Sequence, residues 1–257
     1  MLSAALLVAF LTLPVAALVF GSLSELGPGL GHPLVLPALE LTLFTTSISL
    51  LAILGLGTPL AWLLARGSGR WVRVVETLVE LPVVIPPAVA GLSLLLAFGR
   101  HGVLAGVLYP EGASLAFSTL SVILAETFVA APFYVQAAVS SFRALDPELL
   151  VVARTLGAEP WRVFLRIALP LAAPGLVAGA ALSWARALGE FGATLMFAGN
   201  LPGRTTTLPL AIYTALESDL AAARALAVIL VIFSFSLLLV MRLSLGYRAR
   251  AGLGGVR

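Results

Sequence analysis

Six predominantly apolar stretches, each long enough to cross a lipid bilayer, constrain this chain more than any other feature. A hydrocarbon core about 30 Å deep takes about 20 helical residues to cross. The stretches run from Leu2 to Phe20, Leu41 to Ala65, Val74 to Phe98, Leu115 to Val139, Leu171 to Ala198 and Ala225 to Met241. Backbone amides in lipid must find partners within their own segment, so spans of this kind are helices. The expected fold is all-α, a polytopic membrane helix bundle with about six transmembrane helices forming a single domain over residues 1–257. Composition agrees: 60% of the residues are hydrophobic and 11% are charged, against about 25% charged in a soluble domain. Fifteen basic and twelve acidic residues are too few to clothe a soluble surface of this length, and a net charge of +3 gives no reason to expect nucleic acid. The first stretch reads as a retained span rather than a signal peptide, because no Arg precedes it and no small-residue cleavage site follows.

The rare polar residues exclude whole classes of chemistry. Every basic residue is Arg. Without Lys there is no G-x-x-x-x-G-K-[ST] loop to hold nucleotide phosphates and no Schiff-base chemistry. Without Cys there are no disulfides, thiolate metal sites or thiol nucleophiles. His32 and His101 stand far from any clustered ligand set, so no metal site is expected. The chain is therefore read as having no catalytic residues and no cofactor of its own. Any fuel it uses is consumed on another chain.

The arginines give an orientation. Arg66, Arg70 and Arg73 join spans two and three; Arg143, Arg154, Arg162 and Arg166 join spans four and five; Arg242, Arg248, Arg250 and Arg257 follow span six. The opposite loops hold Arg100 and Arg204, with Arg224 at the edge of span six. The positive-inside rule then puts both termini and the two Arg-rich loops in the cytoplasm.

The longer of those loops, residues 143–170, carries the most local information. Asp146 suits an N-cap, Pro147 the first helical position and Glu148 the positive helix end, predicting a short helix from Pro147 to Leu156. Gly157 would end it in the left-handed conformation. Pro160 would then open a second short helix bearing Trp161, Phe164 and Leu165 beside Arg162 and Arg166. By spacing alone, the pair is equally an interfacial amphipathic element resting on lipid headgroups.

The wording of the loop breaks that tie. Ala153-Arg154-Thr155-Leu156-Gly157-Ala158, then Trp161-Arg162-Phe164 and Ile167-Ala168-Leu169-Pro170, resembles the "EAA" loop of ABC-importer permeases. Val151 and Val152 stand where that family has Glu and Ala, while Ala153, Gly157 and Leu169-Pro170 match. The resemblance implies a coupling loop that seats in a groove of an ATPase subunit through Ala153, Arg154, Gly157, Ala158, Trp161, Arg162, Leu169 and Pro170. It extends to Leu81-Pro82-Val83-Val84-Ile85-Pro86-Pro87 in span three and to the run from Gly189-Glu190-Phe191-Gly192 through Gly203-Arg204-Thr205 to Leu210. These look like permeases of the molybdate/tungstate and sulfate group, most closely the molybdate type.

Within those segments, Arg186 and Glu190 lie four residues apart and so share a helix face inside the bilayer, with Thr194 one turn further on. Intramembrane charges face a partner or an aqueous cavity. The spacing therefore admits two readings: a structural pair that neutralises itself, or an arginine that orients an anion while Glu190 holds it in place. Pro86 and Pro87 delete backbone donors and must distort span three, as a gate or as a static kink. Arg204 and Thr205 offer a cation and a hydroxyl on the outer loop, suited to an oxyanion or a delivery protein. Glu126 is an isolated carboxylate in span four with no partner visible in the sequence.

The resemblance implies a type I ABC importer permease: a second copy of the chain, two cytoplasmic ABC ATPase subunits carrying ATP and Mg, an extracytoplasmic oxyanion-binding protein, and a place in the inner membrane among lipid. The rival readings are a sulfate/thiosulfate importer, an ion-coupled secondary transporter and a purely structural scaffold.

Overall fold

In a computed structural model, residues 1–108 and 114–253 are described, and among them the secondary structure is helical throughout. The elements are α1 (Leu2–Gly21), α2 (Leu23–Leu30), α3 (Val35–Arg66), α4 (Arg70–Val84), α5 (Pro87–Phe98), α6 (Ala105–Leu108) and α7 (Thr119–Arg143). They continue with α8 (Pro147–Thr155), α9 (Pro160–Val163), a π-helical turn (Phe164–Ala168), α10 (Leu169–Leu188), α11 (Gly192–Ala198), α12 (Leu208–Ser218) and α13 (Leu220–Leu253). Among the described residues, five helical runs are long and apolar enough to cross a membrane, and the α4–α5 pair makes a sixth if counted as one broken span. Of the arginines that follow span six, Arg257 lies outside the described residues.

α7 is the central post. It packs against α3 on one side and α10 on the other, and its N-terminus is closed by a capping box between Ser118 and Ser121. Small residues (Ala, Gly, Ser and Thr) recur at these contacts, since apolar side chains gain little by leaving lipid and close backbone approach supplies the attraction instead. Gly175 and Gly179 of α10 show the point: a Cβ on either would collide with Ser141 or Ala137 of α7. The large apolar side chains that face outward, such as Leu51, Leu56, Leu78 and Leu96, have lipid as their natural surroundings.

Two stretches that read as continuous spans are broken. Ile85 and Pro86 both precede a proline and adopt extended ψ values of 141° and 142°, as residues before proline must to avoid its ring. α5 restarts with Pro87 at its first position, and the pair is bent by 116°. The expected single helix from Val74 to Phe98 is therefore two. The expected span from Leu171 to Ala198 likewise stops at Leu188 and resumes as α11 at Gly192. Its other end extends further than read: α9, the π turn and α10 form one 29-residue run from Pro160 to Leu188, so the second loop helix is the root of a span. The Leu169 N–H bonds to the Phe164 carbonyl, five residues back. That wider turn gives room to the Pro170 ring, which would strike an α-helical carbonyl.

Candidate functional site

At the loop end of the bundle, α8 is built as its residues require. The Asp146 carboxylate accepts the Glu148 N–H at 2.9 Å, Pro147 occupies the first turn, and the chain reverses at Gly157 with φ +85°. Leu150 and Val163 turn inward to the core shared by α3, α7 and α10. Phe164 joins them, its ring 5.3 Å from Trp62 of α3 and 6.1 Å from Phe142 of α7. Outward, the loop presents Leu149, Val151, Val152, Leu156, Trp161 and Leu165 together with Arg154 and Arg162. Trp161 donates its indole N–H to Glu159, and Arg162 lies over the Trp161 ring at 5.4 Å. Ala153 and Ala158 are half-buried, and Leu169 and Pro170 lie at the π turn's exit into α10. The result is an apolar and basic surface riveted to three spans, able to transmit a push as a rigid body.

The second cluster sits where the fifth span breaks. Glu190 is buried just past the end of α10. Its Oε1 accepts the Ala193 N–H at 2.7 Å, holding the first turn of α11, while Oε2 pairs with Arg186 at 2.6 Å. Arg186 keeps 27% of its side chain exposed. Thr194 does not extend the Arg186–Glu190 face as the sequence spacing suggested. The break at Gly189 puts it on α11, buried, with its hydroxyl unpartnered among the described residues. Pro86 and Pro87 are exposed at the α4–α5 corner, next to Gly192, whose added Cβ would fall 2.7 Å from that of Pro87. The two breaks thus face each other, and α5 packs directly on α11.

Beyond α11, Arg204 is exposed and its carbonyl accepts from Thr119 at 2.9 Å. Thr205 turns inward instead: its hydroxyl accepts the Leu201 N–H at 2.8 Å and donates to the Gly199 carbonyl. Asn200 bridges the hydroxyls of Thr206 and Thr214 at 2.7 Å each, folding the loop back onto α12.

The structure also supplies the partner for Glu126. Thr45 and Ser49 of α3 donate to its two oxygens at 2.8 Å each. The same face of α3 uses Thr42 to accept the Leu208 N–H at the start of α12, and Thr46 to accept the Trp184 indole N–H from α10. Four hydroxyls at 42, 45, 46 and 49 follow helical spacing inside an apolar stretch, and that stripe was the available signal. Glu126→Leu is expected to destabilise the protein by about 1–3 kcal/mol by removing two buried hydrogen bonds, the Thr45 and Ser49 hydroxyls falling back on the Thr42 and Ile123 carbonyls, with Glu126→Gln losing less. Thermal unfolding of the two variants in detergent checks this.

Broken spans whose ends meet at a buried ion pair are an arrangement that membrane transport proteins use around a substrate path. The comparisons with known proteins agree. The sequence profile of the family described as "binding-protein-dependent transport system inner membrane component" matches residues 57–248, and the chain belongs to that family. The molybdenum transport system permease protein of Mycobacterium tuberculosis is 48% identical over 195 residues, 76% of this chain and 74% of that one. Its counterpart in Escherichia coli is 39% identical over 219 residues, 84% and 96% of the two chains. A bacterial ABC transporter that imports alginate has the same fold at 18% identity, with a TM-score of 0.73 over 96% of this chain and 93% of that one. The chain is thus a permease subunit of type I ABC-importer fold and not itself an enzyme. The secondary-transporter reading is not favoured.

Proposed function

We propose that this chain is the membrane subunit of a molybdate importer, working as a homodimer with two cytoplasmic ATPases and an extracytoplasmic binding protein. The observation that carries the substrate is the 39–48% identity to molybdenum permeases over most of the chain. The surface around Gly157 takes the ATPase contact: Arg154, Trp161 and Arg162 face out, and Leu150, Val163 and Phe164 pass the motion to α3, α7 and α10. Nucleotide and Mg belong to the ATPases, and the Arg-rich loops and both termini lie in the cytoplasm.

Arg186 faces the pathway and attracts the dianion, with Glu190 fixing its position. Its partial exposure beside a fully buried Glu190 supports this reading, since a pair serving only itself has no reason to keep one member open. Arg204 meets the binding protein or the arriving anion at the outer face, while Thr205 supports it from within the loop.

Reconstitution with the partner ATPase and binding protein tests the substrate. Molybdate, and tungstate as its close analogue in charge and shape, are expected to stimulate ATP hydrolysis well above sulfate. Equal stimulation by sulfate overturns the assignment.

A further inference from the structure

Two crevices meet along the seam between α4 and α7, and the Arg186 cluster uses neither. The one at the loop end, about 360 Å³, has Glu76 and Glu80 of α4 with Gln136, Ser140 and Arg143 of α7 as its polar lining. The other takes in α3 and encloses about 290 Å³ between almost wholly apolar side chains, Leu56, Leu78, Pro82, Phe128 and Ala131 among them. Val79 and Val135 line both, so the two form one groove, polar at the loop end and apolar beyond it. Leu56 and Leu78 are exposed in that apolar part, where lipid is their natural surrounding. The charges at the polar end are unequal. Glu76 pairs with Arg143, of which 48% remains open. Glu80, one turn along α4 from Glu76, is exposed and pairs with no cation among the described residues. A carboxylate inside a span faces water or a partner. Two carboxylates against one guanidinium repel a free anion and attract a cation. An anionic group can approach the open flank of Arg143 only when a cationic one comes with it.

We infer that this groove seats a membrane phospholipid whose headgroup carries a primary ammonium, phosphatidylethanolamine. The ammonium donates to Glu80 and to the open side of Glu76 through charge-assisted bonds. The phosphodiester that accompanies it lies toward Arg143, with Gln136 and Ser140 as neutral donors. One acyl chain passes Val79 and Val135 into the apolar crevice, held by dispersion contacts rather than by expulsion of water. A glycerol headgroup lacks the ammonium and sets its phosphate against two carboxylates. A choline headgroup has the positive charge but no N–H to donate. Seated there, the lipid fills the seam between the central post α7 and the helix that leads into the 116° corner.

The test titrates the full chain, delipidated in detergent, with dioleoyl phosphatidylethanolamine, phosphatidylcholine and phosphatidylglycerol, and counts bound lipid by native mass spectrometry. Wild type is expected to bind phosphatidylethanolamine about tenfold more tightly than phosphatidylglycerol. Glu80→Gln, a conservative change at an exposed position, is expected to weaken phosphatidylethanolamine by about tenfold and to bring it level with phosphatidylcholine. Ala131→Phe fills the apolar part without touching a charge and is expected to weaken all three lipids alike. Phosphatidylglycerol binding as tightly as phosphatidylethanolamine to wild type, or an unchanged order of lipids in Glu80→Gln, overturns the inference. A wild-type chain that takes up no lipid also overturns it and leaves the groove to a second copy of the chain.

Discussion

Replacing Arg186 by methionine is expected to cut binding-protein-dependent molybdate uptake by about a hundredfold, within the range of about 2–5 kcal/mol that truncating one member of a desolvated charge pair costs. Two effects combine. On the proposed pathway the anion loses the Arg186 guanidinium, and Glu190 is left buried without its 2.6 Å partner. The combined variant Arg186→Met with Glu190→Gln separates them: a glutamine still accepts the Ala193 N–H and carries no charge. It should regain thermal stability without regaining transport. Arg186→Lys, a point charge without the planar fork, should keep a fraction of the activity. Normal uptake by Arg186→Met would show the pair to be an internal clamp. Uptake of labelled molybdate into proteoliposomes, beside thermal unfolding, reads both quantities.

The second large effect is expected at Gly157. Its φ of +85° suits glycine, and an added Cβ there meets nothing within 4 Å. Within this chain a substitution there meets no packing, so Gly157→Asn serves as the control for a side chain placed at the ATPase contact. Gly157→Val places a β-branched residue in the left-handed region at a strain of about 1–3 kcal/mol. Relief requires α8 to swing relative to the run that begins at Pro160. Stimulation of the ATPase by loaded binding protein should fall at least about tenfold, one decade for each 1.4 kcal/mol of misalignment. Gly157→Asn, whose side chain tolerates that region, should stay close to wild type. Stimulated hydrolysis of the purified complex measures the contrast, and equal behaviour of the two variants would remove the turn from the coupling path.

How much of this was legible beforehand depends on the range of the interaction. Asp146, Pro147 and Gly157 announced α8 and its turn because caps, first-turn prolines and left-handed glycines act within a few residues. Gly175 and Gly179 form a G-x-x-x-G step, a local mark of close helix approach, but only the packing shows that α7 receives it. Pro86 and Pro87 announced a distortion, but the 116° angle needed α5 to find its place on α11. The break after Leu188 was hidden, because the run from Leu171 to Ala198 is predominantly apolar and its glycines also suit helix packing. Thr194 was consequently placed on a face that does not exist.

The sequence by itself determined the membrane class, the approximate spans, the structured loop and the absence of a nucleotide-holding lysine. Each follows from composition or from neighbours within one or two helical turns, where the physics is local. Only the tertiary structure decided which polar groups meet. Thr45 and Ser49 reach Glu126 across some eighty residues of chain, Glu76 reaches Arg143, and Glu190 turns back to hold both Arg186 and α11. A charge in lipid must find a partner or water, but the bundle's packing chooses which.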